Sequence, residues 1–168
     1  MKPLYKLTCS ALFVASGVIA GNLLYIPMGV TKIFPVQHII NVLSAVLFGP
    51  GYAVGTAFAI SLVRNLFGTG SVFAFPGSMI GAFLAGVLYL WLKKPVFAVA
   101  GEIVGTGLIG SFISFPIAKF ILGQNVAATF FVVPFLLATT CGSLIAYLLL
   151  KMMAVHPEMA RLLRGDRK

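Results

Sequence analysis

Acidic side chains are almost missing from this chain: its 168 residues include three Asp and Glu against 12 Lys and Arg. Charged residues of both signs make up only 9% of it, and there are two cysteines. Each scarcity excludes something. A soluble domain of this size with so little charge would lack the polar surface that keeps it dispersed. Cys9 and Cys141 both sit in apolar runs, which favours packing over a disulfide, and without histidines at ligand spacing they make no metal site. Glu158 and Asp166 fall in a basic terminal stretch, which leaves Glu102 without a second acid for hydrolytic chemistry. No nucleophile triad, zinc motif or phosphate loop stands out, so the residues point to no enzyme, no metal and no cofactor.

What is abundant is apolar. The chain is 60% hydrophobic with a mean hydropathy of +1.08, and its apolar stretches have almost no polar face. A membrane-spanning helix needs about 20 such residues, which leaves room for about six. The stretches 6–26, 36–48, 52–67, 76–92, 96–122 and 127–152 are the expected helices, with a tight break at Gly49-Pro50-Gly51. They lack the alternation that a membrane β-barrel requires. The expected fold is an all-α membrane protein of about six transmembrane helices, in a domain over 1–152 with a short basic tail over 153–168. The basic stub and apolar run at the start resemble a signal peptide. The run is too long and no small-residue cleavage site follows, so it reads as a retained first helix.

A formal charge of +9 invites a nucleic-acid reading, but the charges fall at helix ends. With the N-terminus in the cytoplasm, Lys2, Lys6, Lys93, Lys94, Lys151, Arg161, Arg164, Arg167 and Lys168 all lie inside. Only Lys32, Arg64 and Lys119 are left over. The excess of inside positive charge selects this orientation, with both termini cytoplasmic and the chain multi-pass in the cell membrane. Small residues four apart, Gly17 and Gly21, Gly81 and Ala85, Ala82 and Gly86, and Gly101 and Gly105, allow helices to approach closely, and internal packing is their plainer role. The connections expected outside are longer than those inside. The first of them, carrying Tyr25, Pro27, Met28, Lys32 and Phe34, has the make-up either of a lid or of an ordinary connector.

Polar groups within a bilayer are costly, so those present carry the functional hypotheses. Gln37, His38 and Asn41 share one helix face near the outer surface and offer amides and an imidazole to a small neutral heterocycle with a hydroxyl. Arg64-Asn65, followed by Gly68-Thr69-Gly70-Ser71, forms a second polar patch. Glu102 stands alone in the fifth segment, about 10 Å from its start, with Arg64 about 18 Å along the third. Glu102 therefore either meets a ligand, holds a proton, or pairs with Arg64. Tyr25, Phe73 and Phe75 are the aromatics expected to stack on a ring.

These motifs together resemble one family. Pro35-Val36-Gln37-His38-Ile39-Ile40-Asn41, Arg64-Asn65-Leu66-Phe67-Gly68-Thr69-Gly70, Ala74-Phe75-Pro76-Gly77-Ser78-Met79 and Gly101-Glu102-Ile103-Val104-Gly105-Thr106-Gly107 are similar to the ThiW family of S components, the substrate-binding subunits of energy-coupling factor transporters. The resemblance covers about residues 6–152. It implies six helices, an outward pocket covered by the outer connections, and docking onto a transmembrane T component driven by two cytoplasmic ATPase subunits. It also implies a docking signature of two alanines four apart on the first helix, which Ala11 and Ala15 fit. The ligand it implies is hydroxyethylthiazole, a thiamine precursor. The alternatives are another vitamin, hydroxymethylpyrimidine or thiamine. From other classes, they are a stand-alone proton-coupled carrier working through Glu102 and His38, a small membrane enzyme, or a purely structural subunit.

Overall fold

The computed structural model describes residues 2–28 and 31–155, with backbone alone for 26–28 and 31–33. The basic tail expected over 153–168 lies outside the described residues from position 156 onward, as do the side chains of Pro27, Met28 and Lys32 expected in a lid. The described residues form six helices: α1 (Pro3–Leu23), α2 (Pro35–Phe48), α3 (Pro50–Leu66), α4 (Ala74–Leu92), α5 (Pro95–Ile121) and α6 (Val132–Val155). Four of them, α1, α4, α5 and α6, are long and apolar enough to cross a membrane. Helices α2 and α3 are shorter, at 14 and 17 residues.

Proline sets the helix starts. Pro3, Pro35, Pro50 and Pro95 each sit at the first turn, where a missing N–H costs nothing because that turn has no acceptor for it. Pro134 has the same effect on α6, which begins at Val132 rather than near 127, so that proline falls in the opening turn where it is best tolerated. The stretch before it, after Gly123 at φ 63°, is irregular. The first connection departs from the expected helix end: α1 stops at Leu23, and Ile26–Met28 (β1) pairs antiparallel with Thr31–Ile33 (β2), Ile26 opposite Ile33.

The bundle is apolar outward and polar inward, the reverse of a soluble protein. Leu12, Ile19, Phe83, Phe112, Leu144 and Leu148 are exposed, whereas Asn41, Ser44, Ser61, Arg64, Glu102, Ser111, Ser114, Thr139 and Ser143 are almost fully buried. Lipid is the solvent that this distribution fits. Helix α2 runs through the middle, with its apolar half (Val42, Ala45, Val46) packed on Ala53, Ala57, Ala82, Ala85, Ala98 and Ala146.

Small residues let α4 and α5 lie backbone to backbone. A Cβ at Gly105 would come within 2.6 Å of Gly81 Cα, and one at Gly110 within 2.5 Å of Gly77 Cα. Without a hydrophobic drive in lipid, this close packing is what holds helices together. Gly86 meets the Pro50 backbone in the same way, and Gly17 makes room for the Ile60 and Ile40 side chains. Helix α5 is not uniform: it winds as a π-helix over Ile103–Gly110 and again over Ile117–Ile121, just after the internal Pro116. π-Turns are rare and concentrate at functional positions.

Candidate functional site

At the end of the bundle that carries the β1–β2 hairpin, three connections surround a cavity of about 830 Å³. Its floor is made by Gln37 and His38 of α2, Gly77 and Ser78 of α4 and Thr106 of α5. Phe73, Phe130, Phe131 and Phe135 line one wall, while Asn22, Ser71, Gln124 and Asn125 supply polar groups elsewhere in the lining. The wall is a continuous aromatic cluster, with ring centroids 4.6 Å apart for Phe73 and Phe131 and 5.9 Å apart for Phe131 and Phe135.

Beneath the floor the expected polar residues form one connected network. His38 Nδ1 lies 2.8 Å from Glu102 Oε1, and Asn41 Nδ2 donates to the same oxygen at 2.9 Å. The Thr106 hydroxyl is 3.0 Å from Glu102 Oε1 and 3.0 Å from the Gly77 carbonyl, with one proton to give between them. Asn41 also donates to the Ser78 carbonyl at 3.2 Å. Gln37 Nε2 donates to the Ser61 and Ser78 hydroxyls, both at 2.9 Å. Its carbonyl oxygen accepts from Arg64 Nη1 at 3.3 Å.

Glu102 can occupy this place because its neighbour on α4 has no side chain. A Cβ on Gly81 would sit 2.7 Å from Glu102 Oε2 and would collide with the Thr106 hydroxyl. Glycine is thus required at Gly81 for close approach rather than for backbone freedom. Oε2 itself has no hydrogen-bond partner, and neither has Asn41 Oδ1.

Arg64 and Asn65 do structural work at the rim. Arg64 is 1% exposed. Its Nη2 donates to the Thr69 carbonyl at 3.0 Å, and its guanidinium lies 3.8 Å over the Phe34 ring. A position in the last turn of α3 adds the favourable field of a helix C-terminus. Asn65 Nδ2 donates to the Ser61 and Ser71 carbonyls at 2.8 and 3.1 Å. Together they pin the Gly68–Ser71 connection, which lines the cavity, to the end of α3.

Of the residues expected from sequence, Gln37 and His38 line the cavity, while Asn41 and Glu102 lie directly behind them. Arg64 does not pair with Glu102; the carboxylate is taken by His38, Asn41 and Thr106 instead. Tyr25 stands 6.4 Å from Phe34 between ring centroids, and Phe75 turns toward Phe58 at 5.7 Å; neither lines the cavity. Phe73 does. Phe130, Phe131 and Phe135 escape a sequence reading because 15 phenylalanines are spread through an apolar chain and none stands out. Among the described residues no three His, Cys, Asp or Glu come together as metal ligands would.

Ala11 and Ala15 of α1 are exposed, whereas Gly17 is buried. Ala11 borders a shallow apolar groove formed with α3, where Gly51 and Gly55 leave open space.

A multi-pass helical bundle with a ligand-sized cavity over a buried polar network is built as a small-molecule carrier or receptor of the membrane. The sequence profile of the thiamine-precursor transporter protein (ThiW) family matches residues 7–156, and the chain belongs to that family. No curated protein and no solved structure matches it.

Proposed function

We propose that this chain is the substrate-capturing S component of an energy-coupling factor importer and that it binds hydroxyethylthiazole from outside the cell. The observation that carries this reading is the cavity itself: an aromatic wall of Phe73, Phe130, Phe131 and Phe135 facing a floor of uncharged polar groups. A flat heteroaromatic ring stacks on the first, and the few polar groups of a small alcohol are met by the second. At about 830 Å³ the space falls within the range of about 300–1,000 Å³ usual for ligand sites.

A neutral precursor fits better than thiamine. No carboxylate lines the cavity among the described residues; Glu102, the one acid nearby, is 0% exposed and enclosed by His38, Asn41 and Thr106. A cationic ligand would meet nothing of opposite charge. The inside-positive pattern of Lys2, Lys6, Lys93, Lys94 and Lys151 supports an orientation with the hairpin end outside and both termini in the cytoplasm. The exposed alanines Ala11 and Ala15, with the groove beside Ala11, offer a flat strip on which a helix of the T component can lie, with two ATPase subunits beneath.

The 2.8 Å contact between His38 and Glu102 also suits a proton-coupled carrier acting alone. Calorimetric titration of the purified chain with hydroxyethylthiazole, thiamine and hydroxymethylpyrimidine tests the ligand. Uptake by proteoliposomes holding only this chain under a pH gradient tests the carrier reading, and uptake without ATPase partners favours it over the importer.

A further inference from the structure

The protonation pattern beneath the floor determines what the ligand must present. Asn41 Nδ2 can only donate, so Glu102 Oε1 is an acceptor, and Oε2 has no acceptor within reach to which a carboxyl proton could be given. With Glu102 as a carboxylate, the 2.8 Å contact makes His38 Nδ1 the donor. Arg64, joined to the same network through Gln37, already balances that charge, so a neutral imidazole leaves the buried cluster neutral. The other ring nitrogen, Nε2, then holds a lone pair. It has no protein partner among the described residues, and the side chain keeps 10% exposure where it lines the cavity.

The remaining floor groups are already engaged. Gln37 spends both amide protons on Ser61 and Ser78, Ser78 gives its own to the Ala74 carbonyl at 2.7 Å, and Thr106 gives its proton to Gly77 or Glu102. What the floor offers is one free acceptor and no cation, because Arg64 is covered by Phe34. Resting on the reading that the cavity holds the thiazole precursor, we infer that His38 Nε2 is the specificity-determining acceptor of the ligand hydroxyl. The site consequently takes the free alcohol and refuses its phosphate monoester. A phosphate there would face a lone pair with the Glu102 carboxylate one ring behind it, whereas a hydroxyl donates to Nε2 and pairs it.

Calorimetry on the purified full chain tests this with three probes: 5-(2-hydroxyethyl)-4-methylthiazole, its phosphate monoester, and 5-ethyl-4-methylthiazole, which lacks only the hydroxyl. The alcohol binds tightest, the ethyl compound is weaker by on the order of tenfold to a hundredfold, and the monoester gives no saturable heat. In His38→Asn, whose amide can still donate toward Glu102 but places no acceptor where Nε2 was, the preference for alcohol over ethyl compound falls to about twofold or less. Binding of the ethyl compound or the monoester as tightly as the alcohol by the unaltered chain overturns the inference and leaves the thiazole reading standing. Failure of the alcohol to bind at all overturns both. Should His38→Asn not fold, the comparison on the unaltered chain decides alone.

Discussion

Arg64 and Glu102, at 1% and 0% exposure, form no ion pair, yet they are the two ends of one hydrogen-bonded chain. It runs from the guanidinium to Gln37, from Gln37 to Ser78, from the Ser78 carbonyl to Asn41, and from Asn41 to the carboxylate. Opposite charges held apart by amides and a hydroxyl leave the polar floor rigid without closing the cavity above it. Lone charges in lipid are expensive, and this relay lets each be solvated by protein dipoles.

The relay predicts coupling at a distance. Arg64→Met and Glu102→Gln each destabilise the chain, by roughly 3–5 kcal/mol because a buried charge loses its counterpart. The double variant is less damaged than their sum by about 0.5–3 kcal/mol. Thermal unfolding of the four proteins in detergent checks this, and strict additivity would show that the two charges are independent.

Gly81→Ala places a methyl group against Glu102 and Thr106. Overpacking of this kind costs about 1–3 kcal/mol, and moving the carboxylate releases His38, so ligand affinity falls with stability. Gly55→Ala is the control: a Cβ there meets nothing within 4 Å, so stability holds or rises by up to about 1 kcal/mol and ligand affinity is unchanged.

The aromatic wall separates affinity from folding. Phe73→Leu keeps an apolar side chain of similar size while removing the ring that sits 4.6 Å from Phe131. Loss of stacking weakens thiazole binding about fivefold to tenfold, from about 1 kcal/mol of ring interaction. The unfolding temperature changes little, because Phe73 is only partly buried.

Docking is predicted to be independent of capture. Ala11→Trp and Ala15→Trp put bulk on an exposed face of α1 far from the cavity lining. Ligand binding by the purified chain is unaltered, whereas co-purification with the T component is lost.

Much of this was legible in the sequence, for identifiable reasons. Helices α2 to α5 begin and end within a few residues of their apolar runs because lipid demands continuous apolar length. Helix α1 stops short of its expected end, where the chain turns into the hairpin, and α6 starts late, so that Pro134 falls in an opening turn. Gln37, His38 and Asn41 could be placed on one face from their spacing. The partner of Glu102 could not be read that way. Depth counted along straight helices compares Glu102 with Arg64, but which helix faces α5 is decided by the glycines of α4, Gly77 and Gly81, that let it approach. The π-turns that carry Thr106 into the floor leave no periodic signal, and Phe75 was drawn toward Phe58 by packing that no local pattern announces.

The most direct measurement is an experimental structure of the chain with hydroxyethylthiazole bound. The ring is predicted to lie against Phe73, Phe131 and Phe135, with its hydroxyl within hydrogen-bonding distance of His38 Nε2. A ligand seated elsewhere in the protein, or the cavity between the aromatic wall and His38 left unfilled at saturating concentration, would contradict the account.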